Sequence, residues 1–354
     1  MRSRLRRAAV VVAALALAAV VALAGLLVAD IYTHTRFERS AGFNVWGYRG
    51  PSVGRKGPNE YRVIVLGGST AYGYGVIWEH AMPAALERQL RARTTSPTFT
   101  VVNLGYNNEA AYSFKPTLID YDWLREDLVV LYEGYNDLEP GGVTNVSVFR
   151  HDSPIFRLTG YMPIFPIVFR EKAAAMLNGG DVSALYRKDG KTVFHAGVAT
   201  KAAAGALDAT AAVGRSLESQ LGKVVVEPAH AVEETAATGC QPRWRHYCQS
   251  IAVAIEFVRQ RGHQVVVVTQ PYLANEEKIR LRHMDQQADL RAMLARRFGS
   301  DADVAYVDLG DSVDLENPLI AFDHVHLTKR GNEQLAAGLV DPVLALARRR
   351  STNN

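Results

Sequence analysis

The strongest constraint on the fold is a repeated alternation of short β-branched runs with amphipathic segments. Arg62–Leu66, Thr100–Leu104, Leu128–Tyr132, Val265–Thr269 and Val304–Asp308 each read as a buried strand, and three of them run into turn signals at Gly67-Gly68, Gly105 and Gln270-Pro271. Met82–Arg93, Lys115–Leu124, Ser250–Arg261, Glu276–Phe298 and Gly331–Ala347 read as helices; Pro116 suits a first turn, and Gly262 and Gly299 suit stops. Strands that alternate with helices imply a parallel sheet covered on both faces.

The expected class is therefore α/β, a flavodoxin-like three-layer α/β/α sandwich with a parallel five-stranded sheet. Ligands of such sheets bind beyond the carboxyl ends of the strands, so the chemistry is sought in loops that follow strands. The alternation breaks at about 138–249, too long for an ordinary loop. This insertion holds the apolar Tyr161–Phe169, a helical Glu171–Leu177 and the alanine-rich Thr200–Leu221. A lid or substrate-binding subdomain and a structural decoration are both open readings.

The N-terminus adds a second constraint. Ala8–Ala29 is apolar and uncharged, and at 1.5 Å per residue it reaches roughly 30 Å, the thickness of a bilayer's hydrocarbon. Arg2, Arg4, Arg6 and Arg7 precede it and Asp30 follows, which puts the N-terminus in the cytoplasm and the remaining chain outside. A cleaved signal peptide, cut after Ala22-Leu23-Ala24, is the competing reading. The run continues past that site and exceeds the usual h-region of about 7–15 residues, so a retained anchor is expected. The organisation expected is a cytoplasmic tail at 1–7, a transmembrane anchor at 8–29, a linker at 30–60, a folded domain at 61–347 with its insertion, and a tail at 348–354.

The formal charge of +4 carries little information about partners, because the four N-terminal arginines account for it. A nucleic-acid partner would need a basic face on the folded domain, and none is indicated. The two cysteines, Cys240 and Cys248, are expected to pair in an exported domain, with two free thiols as the alternative. With His246 they make no recognisable metal-ligand set.

Four short stretches at the ends of strands carry candidate chemistry. Leu66-Gly67-Gly68-Ser69-Thr70 follows the first strand, where a serine can expose its hydroxyl and its backbone N–H together. Asn103-Leu104-Gly105 follows the second, and its glycine permits close backbone approach. Gly134-Tyr135-Asn136-Asp137 follows the third, and its amide can donate to an oxyanion. Asp323-His324-Val325-His326 precedes the last helix, and an Asp three residues before a His can orient the ring. Each has an ordinary reading as turn, cap or surface loop; their order and common location give the set its meaning.

Together these blocks resemble the SGNH hydrolases, also called GDSL-like esterases and lipases, a superfamily named for a Ser, a Gly, an Asn and a His in four blocks. The matching positions are Ser69, Gly105, Asn136 and His326, and the run DHVHLTKRGNEQL at Asp323–Leu335 is similar to the last block. The likeness covers about 45–137 and 250–347. It departs from the GDS form at Gly68, where an Asp would stand, which weakens the likeness to the narrow GDSL subgroup and not that to the wider superfamily.

The resemblance implies a serine esterase with Ser69 as nucleophile, His326 as base, Asp323 as its orienting acid, and an oxyanion hole from Ser69, Gly105 and the Asn136 amide. It implies no metal or organic cofactor. Its expected substrate is an acyl ester of a carbohydrate or lipid, acetyl or another short chain. His324 is the decoy for His326, because Asp323 would have to orient its immediate neighbour. Two rivals share the fold: an O-acyltransferase acting on a cell-surface polysaccharide, and a non-catalytic surface protein. A nucleotide-binding reading fails on the absence of G-x-G-x-x-G and of a P-loop Lys-Ser or Lys-Thr after the first strand.

Overall fold

Five parallel strands, β1 (Glu60–Gly67), β2 (Thr98–Asn103), β3 (Leu128–Tyr132), β4 (Gln264–Val268) and β5 (Val304–Val307), form one sheet in the order β2-β1-β3-β4-β5. These are strands of the computed structural model of the chain, which describes residues 2–39, 42–138, 149–164, 239–273 and 276–353. Every residue of β3 and β4 is buried, as is β1 from Tyr61 to Gly67. Burial on both faces is what turns a strand sequence into an unbroken apolar run such as Leu128–Tyr132.

Among the described residues the α-helices are α1 (Arg2–Phe37), α2 (Ser69–Tyr72), α3 (Met82–Arg93), α4 (Phe114–Asp120), α5 (Pro154–Thr159), α6 (Arg245–Gln260), α7 (Glu277–Phe298) and α8 (Lys329–Asn353). Helix α3 packs against α8, while α4 and α7 both pack against α6, so the sheet is covered on both faces. Helix α6 turns Tyr247, Ile251, Ile255 and Val258 into the core, a four-residue recurrence with one step of three. The Cys240–Cys248 disulfide closes a short loop across its start.

The strand order reverses direction between β1 and β3. That switch point is where a doubly wound sheet opens a crevice beyond its strand ends. Gly67 at the end of β1 pairs with Tyr132 at the end of β3, and a Cβ on Gly67 would lie 2.1 Å from the Tyr132 carbonyl oxygen. Only glycine allows the two strand ends to come this close.

The chain divides into two compact units, one of residues 1–36 with 161–227 and the other of 37–160 with 228–354. In the first, α1 contains a stretch, Ala9–Phe37, long and apolar enough to cross a membrane. Its apolar side chains are exposed, unlike those of a helix in a soluble core. Near its end His34 Nε2 lies 2.9 Å from the Met162 carbonyl, and the Tyr161 hydroxyl donates to Asp30.

Three expected boundaries are corrected. Residues 30–60 are not a linker: α1 continues to Phe37, and the stretch that follows packs into the second unit. Tyr48 is buried and accepts from the Val53 N–H at 2.7 Å, and Arg49 N–H donates to the Asn103 carbonyl at 3.0 Å, bridging to β2. These aromatic and polar contacts have no period, so hydrophobic patterning does not announce them. The expected 348–354 tail continues α8 as far as Asn353. The expected insertion is narrower than 138–249, because Phe149 and Arg150 are buried and Arg150 donates to the Leu104 carbonyl at 3.1 Å. Glu171–Leu177, Thr200–Leu221 and the part of Tyr161–Phe169 beyond Ile164 lie outside the described residues.

Candidate active site

Ser69 is the first residue of α2, directly beyond β1, so the strand delivers it to the switch point. Its Oγ lies 2.8 Å from His326 Nε2. The same ring's Nδ1 lies 2.7 Å from Asp323 Oδ2. Asp323 also accepts from the backbone of its partner: His326 N–H donates to Oδ1 at 2.7 Å and Val325 N–H at 3.1 Å. One carboxylate therefore fixes both the ring and the loop that bears it.

That loop is closed on itself. Phe322 N–H donates to the His326 carbonyl at 3.1 Å, and Thr328 N–H donates to the Ile320 carbonyl at 2.8 Å. Thr328 Oγ1 then accepts from Gly331 N–H at 3.3 Å, which caps α8. His324 has φ +63° and is exposed. The ring at 326, not that at 324, meets the serine. Burial alone would raise Asp323, but the His326 ring, its N–H and its charge hold the carboxyl below its ordinary value.

Asn136 lies beside the serine turn: a Cβ on Gly68 would stand 2.3 Å from Asn136 Nδ2. One N–H of that amide donates to the Glu109 carbonyl at 2.6 Å, which fixes its orientation and leaves the second N–H for a ligand. Gly105 departs from the expected role. Its N–H donates to Asn103 Oδ1 at 3.0 Å, while Asn103 Nδ2 holds the Ala71 carbonyl at 3.0 Å. A Cβ on Gly105 would lie 2.7 Å from Tyr72 N. Gly105 is thus a close-packing position behind α2 whose donor is already taken. The signal was readable: an Asn two residues earlier is the arrangement in which a side chain accepts the later N–H.

Sequence reasoning missed three groups. Tyr74 and Phe322 flank the His326 ring, with centroids at 4.8 and 5.9 Å, and both rings are about half exposed. Gln270, fully buried beyond β4, donates to Thr70 Oγ1 at 2.7 Å and accepts from Tyr135 N–H at 2.7 Å, tying two site loops together. Glu133 is a carboxylate at the end of the apolar run of β3 and is buried. An acidic residue closing such a run was a legible anomaly.

Burial, and after it Asp137, raises the Glu133 carboxyl, against the backbone N–H groups of Gly134, Asn136 and Gly68, which favour its ionised form; burial likewise raises Asp137. Raised carboxyls mean that the folded state holds protons the unfolded chain has released. The contribution of these two carboxyls to stability is therefore full where both states are protonated and is lost as pH rises beyond the ordinary carboxylate range. Thermal melts should show a higher Tm at pH 5 than at pH 8, with the difference reduced in Glu133→Gln.

A cavity of about 1820 Å³, lined by Trp46, Arg55, Trp123, Arg125 and His263 among others, contains none of these site residues. Its lining comes from segments that precede β1, β3 and β4, the opposite end of the sheet. Among the described residues, no group of three His, Cys, Asp or Glu side chains could hold a metal ion.

Residues 65–334 match the GDSL-like Lipase/Acylhydrolase family. No curated protein matches the chain. Solved structures similar to it include a lipase/acylhydrolase from Enterococcus faecalis, at 12% identity over 80% of this chain and 95% of that one, TM-score 0.42. They also include an acetylxylan esterase from Geobacillus stearothermophilus, at 10% identity over 81% and 95%, TM-score 0.41. A family 3 carbohydrate esterase from Clostridium thermocellum is similar at 12% identity over 82% and 100%, TM-score 0.41.

Proposed function

Since the chain belongs to the GDSL-like lipase/acylhydrolase family and is a carboxylic ester hydrolase, we propose that it cleaves acyl esters through Ser69, His326 and Asp323. The observation that carries this reading is the 2.8 Å contact between His326 Nε2 and Ser69 Oγ, backed by Asp323 on the far nitrogen. Ser69 Oγ attacks the ester carbonyl while His326 Nε2 takes its proton. Asp323 keeps the second ring proton on Nδ1 and stabilises the imidazolium. The oxyanion is met by Ser69 N–H, which makes no hydrogen bond among the described residues, and by the free N–H of Asn136. Collapse expels the alcohol, protonated by His326, and leaves an acyl-serine. Water, deprotonated by the same ring, then releases the acid.

Among the described residues, Tyr74 and Phe322 each leave about half of their surface exposed beside the His326 ring. Exposed aromatic rings beside the base suit the face of a sugar ring, which favours short acyl esters of a carbohydrate as substrates. The apolar α1 favours a membrane tether, and the arginines before it favour a cytoplasmic N-terminus. The test is a series of acyl esters of increasing chain length, with and without sugar acceptors. Preference for acetyl supports the reading. Preference for long chains, or transfer products exceeding free acid, overturns it.

Asn136→Ala measures the oxyanion contribution separately. It removes one of two donors and should lower kcat roughly 100- to 1,000-fold with little change in KM. Steady-state kinetics on an activated acetyl ester checks this.

A further inference from the structure

Glu133 takes no part in the chemistry above, yet its carboxylate is the point where the two loops of the site meet. Oε2 accepts from Gly68 N–H, the residue before the nucleophile, at 2.5 Å. Oε1 accepts from Gly134 N–H at 2.9 Å and from Asn136 N–H at 3.1 Å, within the loop that carries the amide. The side chain is 1% exposed and its backbone carbonyl is held by Tyr247 Oη at 2.8 Å. Among the described residues the charged group beside it is Asp137, which itself accepts from Ala111 N–H at 3.0 Å.

A buried carboxylate is costly, and surface turns rarely need one. Three backbone donors from two loops on two oxygens is a brace. It fixes the spacing between the peptide that leads into Ser69, whose N–H is one oxyanion donor, and the loop that carries the Asn136 side-chain amide, the other. We propose that Glu133 is a positioning residue for the oxyanion hole, acting through Gly68 and Asn136 without touching substrate. Glutamine cannot replace it, because an amide has one acceptor oxygen and would set its own N–H against a backbone N–H. Aspartate is shorter by one methylene and cannot reach both loops from the end of β3.

The inference rests on Ser69 being the nucleophile, and fluorophosphonate labelling separates the two. Failure of the wild type to label at Ser69 ends the reading of the site. With wild-type labelling intact, Glu133→Gln should label roughly 10- to 100-fold more slowly and lose kcat by a similar factor, while KM stays within about threefold. Its melt should remain cooperative. Gly68→Ala reaches the same brace from the other side, since its Cβ would lie 2.6 Å from Glu133 Oε2 and 2.3 Å from Asn136 Nδ2. It should give the same split between kcat and KM. A Glu133→Gln protein that labels at the wild-type rate overturns the proposal. So does a loss of activity matched in both variants by the unfolded fraction.

Discussion

Ser69→Ala is expected to lower kcat on an activated acetyl ester by about 10⁴- to 10⁶-fold and to abolish labelling by a fluorophosphonate. The size follows from removing the proposed nucleophile, the hydroxyl that would carry the acyl intermediate. What remains is binding and the oxyanion donors, which still accelerate hydrolysis above that in water. His326→Ala should fall as far, since an unassisted serine hydroxyl is a poor nucleophile at neutral pH. His324→Ala is the control and should stay within about threefold of wild type, because its ring does not reach the serine. Near-equal losses at 324 and 326 would refute the assignment of the base.

Asp323→Asn carries the second large effect, a loss of roughly 10³- to 10⁴-fold in kcat. The carboxylate accepts from the ring's Nδ1, so the ring keeps its proton there and offers a bare Nε2 to Ser69. An amide can present its N–H to Nδ1 and move the ring proton to Nε2, where it cannot act as base. The upper end of the range belongs to fully buried acids. Asp323 is about two-fifths exposed, so water can take over part of its role. A pH–rate profile is the second readout: the variant should regain activity at high pH, where hydroxide replaces the lost base. A profile parallel to that of wild type would count against the tautomer argument.

Much of the fold was legible because both faces of the sheet are covered. Burial writes itself into the sequence as apolar runs, and Leu128–Tyr132 is found to the residue. Motif and order marked the serine, the histidine and the asparagine, and the fold brings them to one end of the sheet. Contacts outside any period were not. The 42–50 segment packs through Asn44, Tyr48 and Arg49 without alternation, so it reads as a linker. Gly105 matched a motif letter, but its N–H belongs to a local turn made by Asn103. The brace at Glu133 joins residues 65 positions apart and has no local signature beyond an acid at a strand end.

Asp323 and His326 sit three residues apart on one self-closed loop, while Ser69 lies 257 positions from His326 on a different element. Loop motion would therefore carry the Asp–His pair as a cassette. Engagement of the machinery reduces to one variable, the gap between that cassette and a stationary hydroxyl. Perturbations that widen the gap should silence the enzyme in a single step while the pair stays assembled, and the loss should reverse fully when the gap closes.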